Sequence, residues 1–198
     1  MLSFTGTYSL TGDAFVVFIT DKYEYLGKNK ILPENVTSKV NSFIKSLKEK
    51  NQNEDVSSID ITEKKKCFLV KIGNNNNKSY FEEIGGTLFT KISSFEHIKS
   101  IDIFADTLKE KEKKFPKHFS EFILGFNLKS YTFNKYKTAN KNKLNKSIKI
   151  NIVSNKKNII ENKYKYYNAI KEGVFLARNL VSEPPNILNP KKYVQEIK

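Results

Sequence analysis

Two hydrophobic periods alternate along this chain, and a polypeptide patterned in this way has few folds open to it. Ala14 to Thr20 (AFVVFIT) is a short run of β-branched and aromatic residues that reads as a buried strand. Pro33 then opens a stretch in which Val36, Val40, Phe43 and Leu47 recur at four, three and four residues. That spacing sets them on one face of a helix with proline near its first turn. Ile59 to Thr62 and Cys67 to Ile72 read as a pair of strands, and Gly73 with Asn74 to Asn77 as a turn. Tyr80, Ile84, Leu88 and Phe89 form another helical stripe, with Gly85-Gly86 in its interior. Each glycine there costs about 1 kcal/mol relative to alanine, so close packing of this helix on a sheet is expected. Neither GxGxxG nor a Walker pattern surrounds the pair, which argues against a phosphate loop. Lys99 to Ala105 reads as a strand, Lys109 to Lys114 as a charged loop, and Pro116 to Gly125 as a helix through Phe119, Phe122 and Ile123. Lys135 to Lys146 is polar and reads as a surface loop, after which Ser147 to Val153 alternates like a half-buried strand. Strands alternating with helices predict an α/β protein with a mixed, largely parallel sheet.

Charge raises a different question. The formal net charge is +14, which invites a nucleic-acid partner. Yet Arg178 is the only arginine among 35 basic residues, and the lysines are spread along the chain rather than gathered into a stripe. Phosphate and base recognition favours the planar fork of arginine. A solvated lysine-rich surface is the better reading, with weak nonspecific nucleic-acid binding at low salt. No apolar run approaches the roughly 18 residues that cross a bilayer, so no membrane partner is expected. The start, Met1-Leu2-Ser3-Phe4, has no basic segment leading into an apolar one, which argues against a secretory signal. The single cysteine, Cys67, rules out an internal disulfide, and its apolar neighbours Phe68-Leu69-Val70 predict a buried, inert thiol. A cytoplasmic protein is expected.

The last fifth of the chain differs in kind. From Tyr164 onward, Tyr167, Ile170, Val174, Ala177 and Val181 recur at three and four residues, predicting the longest helix, about five turns. Pro184-Pro185 stops it. Asn189-Pro190 supplies an N-cap and first-turn proline for a further helix presenting Tyr193, Val194 and Ile197. So short a helix does not persist alone. Its apolar stripe is expected to pack on a continuation of the chain, so these 198 residues are expected to be a fragment.

That tail also carries a resemblance. Gly173-Val174-Phe175-Leu176-Ala177-Arg178-Asn179-Leu180-Val181-Ser182-Glu183-Pro184-Pro185-Asn186 closely resembles the junction of cytosolic leucyl aminopeptidases, where a helix of the form A-R-(D/N)-L-x-N-x-P-x-N runs into the catalytic domain. Ser182 stands where that pattern usually has Asn. Leu128-Lys129-Ser130-Tyr131-Thr132-Phe133-Asn134-Lys135-Tyr136-Lys137 is similar to the family's L-x-x-Y-x-F-(D/N)-x-Y-K segment, and Leu69 to Gly73 to a strand that usually ends in a Gly-Leu-Gly turn. The resemblance implies a three-layer α/β/α domain, macro-domain-like, over residues 1–158, a linking helix over 159–185, and the start of a truncated catalytic domain over 186–198. It further implies a homohexameric exopeptidase acting on peptide substrates by two-metal hydrolysis, the ions being Mn or Zn. In the alternative reading, the domain is a macro-like nucleotide-binding module or a basic nucleic-acid-binding module.

None of the family's metal ligands maps onto this chain, which has neither the Asn-Thr-Asp-Ala-Glu-Gly-Arg motif nor HExxH. His97 and His118 lack carboxylate partners in sequence, Glu82-Glu83 reads as part of a solvated face, and Arg178 as a packing or ion-pair residue. No catalytic, cofactor-binding or metal-ligating residue is therefore assigned, the implied metals being bound outside the chain.

Overall fold

The computed structural model describes residues 2–25, 27, 31–50, 54–73, 77, 79–108, 113–137 and 147–196. Its strands are β1 (Leu2–Thr5), β2 (Ala14–Thr20), β3 (Val56–Thr62), β4 (Lys65–Ile72), β5 (Ser100–Phe104) and β6 (Lys149–Val153). Its helices are α1 (Glu34–Glu49), α2 (Tyr80–Ser93), α3 (Phe115–Lys129), α4 (Lys157–Ser182) and α5 (Pro190–Glu196), with a 3-10 turn at Ala105–Thr107. The strands form one sheet in the order β1-β6-β5-β2-β4-β3, all parallel except the edge hairpin β3–β4. The sheet is thus mixed and largely parallel, as the alternating pattern predicts.

Every residue of β2 is buried, because helices cover both faces of the sheet. On one face, Phe15, Val17 and Ile19 meet Val36, Val40, Ile44 and Leu47 of α1. On the other, Val16 and Phe18 lie under α2 and α3, and Ile150 and Ile152 of β6 under Ile160, Tyr164 and Tyr167 of α4. This is the three-layer α/β/α arrangement. In α1 the inward position is Ile44, with Phe43 only half-buried, a one-residue correction to the expected stripe. The four residues of β1 alternate apolar and polar but are too few to stand as a strand alone, and β6 offers them a parallel edge.

The glycine pair in α2 requires a larger correction. It serves contact between helices, not contact with the sheet. A methyl built on Gly85 would lie 2.0 Å from the carbonyl oxygen of Phe122, and one on Gly125 of α3 would lie 1.9 Å from that of Glu82. Each helix therefore sets a bare backbone against the other's carbonyl, and the two helices cross at very close range. At Gly86 such a methyl would fit in ordinary van der Waals contact, its nearest neighbour being 3.7 Å away.

Two aspartates tie the starts of the strands together. Asp102, 1% exposed, accepts hydrogen bonds from the N–H groups of Thr11 (2.8 Å) and Gly12 (2.7 Å) and from Asn151 Nδ2 (3.0 Å). Asp13 Oδ2 accepts from the N–H groups of Lys99 and Ser100, both at 2.9 Å, and from the Ser100 hydroxyl at 2.8 Å. Cys67 is fully buried, and that burial pushes its thiol well above the usual value. The expected loops over Asn74–Asn76, residues 109–112 and residues 138–146 lie outside the described residues.

Candidate functional site

A doubly covered α/β sheet binds ligands at the carboxyl ends of its strands, where successive connections leave on opposite faces. Here β2 feeds α1 on one face, while β5 feeds α3 on the other. Pairing of β2 with β5 stops at Val16/Ile103. Beyond it, the N–H of Phe18 donates to the Thr107 hydroxyl at 2.8 Å, and that hydroxyl donates to the Phe104 carbonyl at 2.7 Å. The 3-10 turn is thereby folded into the gap. Beside it, the Asp106 carboxylate accepts hydrogen bonds from the Tyr8 and Ser154 hydroxyls and from the Asn155 N–H at 2.8 Å. Burial, reinforced by Asp106, pushes the Tyr8 phenol above its ordinary value. Tyr8, Asp106, Ser154 and Asn155 are thus engaged with one another.

The residues weighed as possible ligands lie apart. His97 is exposed, its ring edge-on to Phe95, while His118 stacks on Phe81 with ring centroids 4.3 Å apart. Glu83 is exposed, but Glu82 is half-buried beside the α2–α3 contact. Burial, then the neighbouring Glu121 and Glu83 carboxylates, raise its pKa. The expectation of a fully solvated acidic pair therefore holds for only one of the two. Among the described residues, no three His, Cys, Asp or Glu side chains come together in a way that could hold a metal ion. The donor set of the described residues does not fit a dinuclear metal site. No described helix is long and apolar enough to cross a membrane.

The tyrosine segment and the distal half of α4, by contrast, converge. Arg178 Nη1 donates to the Leu128 carbonyl at 2.7 Å and lies over the Tyr131 ring, 5.4 Å from its centroid. The Tyr131 hydroxyl donates to Asn179 Oδ1 at 2.9 Å, and its ring meets Phe175 at 5.1 Å. Lys135 Nζ and the Tyr136 hydroxyl both donate to the Glu183 carboxylate. These two bonds hold Glu183 below the usual carboxylate range, and its own bond to Glu183 holds Lys135 above the usual lysine value. A cavity of about 320 Å³ opens here, lined in part by Phe133, Leu180, Ile187 and Lys192. The partners are 47 to 50 residues apart, so no local pattern announces the pairing. After the turn at Pro184, Asn189 caps α5 as predicted, its Oδ1 accepting from the Lys192 N–H at 3.0 Å. Tyr193 and Val194 on α5 are both nearly half exposed, and Val181 at the end of α4 is 87% exposed. Ile197 lies outside the described residues.

A sequence profile described as "Cytosol aminopeptidase family, N-terminal domain" matches residues 16–140, more than half of the chain. The chain belongs to this family. Within the cytosol aminopeptidase family, the matched region is the amino-terminal domain. Among solved structures, a tomato leucine aminopeptidase variant superposes with a TM-score of 0.73 at 19% identity. That match covers 99% of this chain and 41% of the tomato chain, so the chain spans well under half of that relative. The bottromycin maturation enzyme BotP in complex with Mn matches with a TM-score of 0.64 at 12% identity, over 94% of this chain and 35% of its own. The macrodomain of Thermus aquaticus DarG gives 0.51 at 14% identity, over 78% and 98%. At such identities the likenesses show the fold, which is macro-like. A comparison with curated protein sequences returns no match.

Proposed function

We propose that this chain is the amino-terminal domain and linking helix of a leucyl aminopeptidase, a metal-dependent exopeptidase that releases amino-terminal residues from peptides. The match to the family's amino-terminal domain carries the reading. In this reading the units are the macro-like domain over 1–158, the linking helix over 159–185, and the start of a catalytic domain over 186–198. Two observations support it: the superposition on only 41% of the tomato enzyme, and the apolar side chains of Val181, Tyr193 and Val194 left in solvent. Substrate and two divalent metals, Mn or Zn, would be held by residues beyond this chain, in a cytoplasmic homohexamer. None of the residues described here takes a catalytic role.

Leucine release from a chromogenic leucine anilide tests the proposal, with Mn or Zn supplied and then removed by a chelator. The 198-residue chain should be inactive at every metal concentration. Protein expressed from a reading frame extending past codon 198 should release leucine in a metal-dependent way. Strong metal-dependent release by the 198-residue chain would place the active site here and overturn the assignment. Inactivity of the extended protein with both metals would do the same.

A further inference from the structure

The linking helix is held in two unlike ways along its length. Its first half belongs to the core, through Ile160, Tyr164 and Tyr167. From Asn168 to Ser182 no side chain is buried. Gly173 stands near this change. A methyl there would meet nothing within 4 Å, and the backbone φ is not positive, so neither close packing nor turn geometry asks for glycine. Glycine inside a helix costs about 0.5–1 kcal/mol relative to alanine because it leaves the backbone loose. Beyond Gly173 the hold comes from outside the helix. Tyr131 touches Phe175, Arg178 and Asn179, and Lys135 and Tyr136 grip Glu183 just past its end. The Tyr131–Asn179 bond is exposed, and exposed pairs contribute little singly. A stretch of helix this short is marginal without such support.

We propose that Gly173 is a hinge and that the segment from Tyr131 to Tyr136 is the clasp that keeps it straight. With the clasp closed, α4 runs unbroken to Ser182. With the clasp released, its distal turns pivot about Gly173 relative to the sheet. The direction in which the polypeptide leaves the α/β domain is then set by side chains of the tyrosine segment, with the bond from Arg178 to the Leu128 carbonyl of α3, and not by buried side chains of the distal helix. The device rests on contacts within this chain and stands apart from the aminopeptidase reading. Side-chain clasps and glycine joints are ordinary means of building such a pivot.

Spin labels at Lys45→Cys on α1 and Val181→Cys on α4 report the angle, since both native positions are exposed and Cys67 is buried. In the otherwise native chain, pulsed dipolar spectroscopy should give one narrow distance distribution. Adding Tyr131→Ala and Glu183→Ala should broaden it. Amide exchange over 174–182 should quicken by roughly tenfold or more, while amides of β2 and β5 keep their native protection. Further addition of Gly173→Ala should narrow the distribution again. An unchanged narrow distribution in the clasp variant, or strand amides quickening in step with the distal helix, overturns the clasp. A broadened distribution that Gly173→Ala fails to narrow overturns the hinge.

Discussion

Replacing Gly85 with alanine tests the packing argument at its tightest point. The new methyl would sit 2.0 Å from the Phe122 carbonyl oxygen, and 2.9 Å from both that carbonyl carbon and the Phe126 nitrogen. Carbon and carbonyl oxygen rest at about 3.3 Å or more, so the approach is short by more than an ångström. All three obstructing atoms are backbone, and no rotamer change can relieve them. The helices must part, which loosens Phe81, Ile84 and Leu88 of α2 from Phe119, Phe122 and Phe126 of α3. Overpacking of this kind costs about 1–3 kcal/mol, against about 0.5–1 kcal/mol gained from alanine's helix propensity. A net loss of about 1–2 kcal/mol is expected, or about 2–8 °C in Tm for a chain of this size. Gly125→Ala should behave alike, since its methyl would lie 1.9 Å from the Glu82 carbonyl oxygen. The double variant should lose less than the sum, because helices already parted accommodate the second methyl. Gly86→Ala is the control, its methyl meeting its nearest neighbour at an ordinary contact distance of 3.7 Å, and should stabilise by about 0.5–1 kcal/mol. Urea unfolding followed by far-UV circular dichroism measures all four variants, the chain having no tryptophan. If Gly85→Ala is as stable as the native protein, or matches Gly86→Ala, the backbone-to-backbone account of α2 and α3 is wrong.

Two further outcomes follow from named side chains. Cys67 should resist an aromatic disulfide reagent in the native state and react fully in denaturant, because burial disfavours the thiolate; native labelling at the unfolded rate would refute this. Burial pushes the Asp13 pKa up, but hydrogen bonds from Lys99 and Ser100 outweigh it and leave the carboxyl below its ordinary 3.8. A depressed folded-state value means stability that is present above pH 3.8 and lost as pH falls through that lower value. Native protein should therefore lose stability more steeply than Asp13→Asn in urea titrations across that range. Parallel curves would remove Asp13 from the account.

Much of the fold was legible because side-chain period is a local property. The all-apolar run of β2 and the four-three-four spacing of α1 each declare an element without reference to the rest of the chain. Tyr80 to Phe89 likewise marks α2, but Gly85 meets α3 and not the sheet. A glycine says that something comes close, without saying whether a sheet or a helix does so. For α4 the period starting at Tyr164 marks the body of the helix, while its first turns from Lys157 bury only Ile160 and so carry little period of their own. The alternation in β1 spans only four residues, too few to declare a strand, and the edge of β6 makes them one.

The candidate site divides along the same line. Both stretches of the clasp were conspicuous in the linear chain, each as a separate motif, and the proline pair and Asn189 marked where one helix ends and the next begins. That Tyr131 meets Asn179, and that Lys135 and Tyr136 meet Glu183, was settled when the sheet closed. Pairing residues some 48 positions apart depends on the combined geometry of α3, β6 and α4. No one of those elements contains that geometry, so amino-acid order alone could name the pieces but not bring them together.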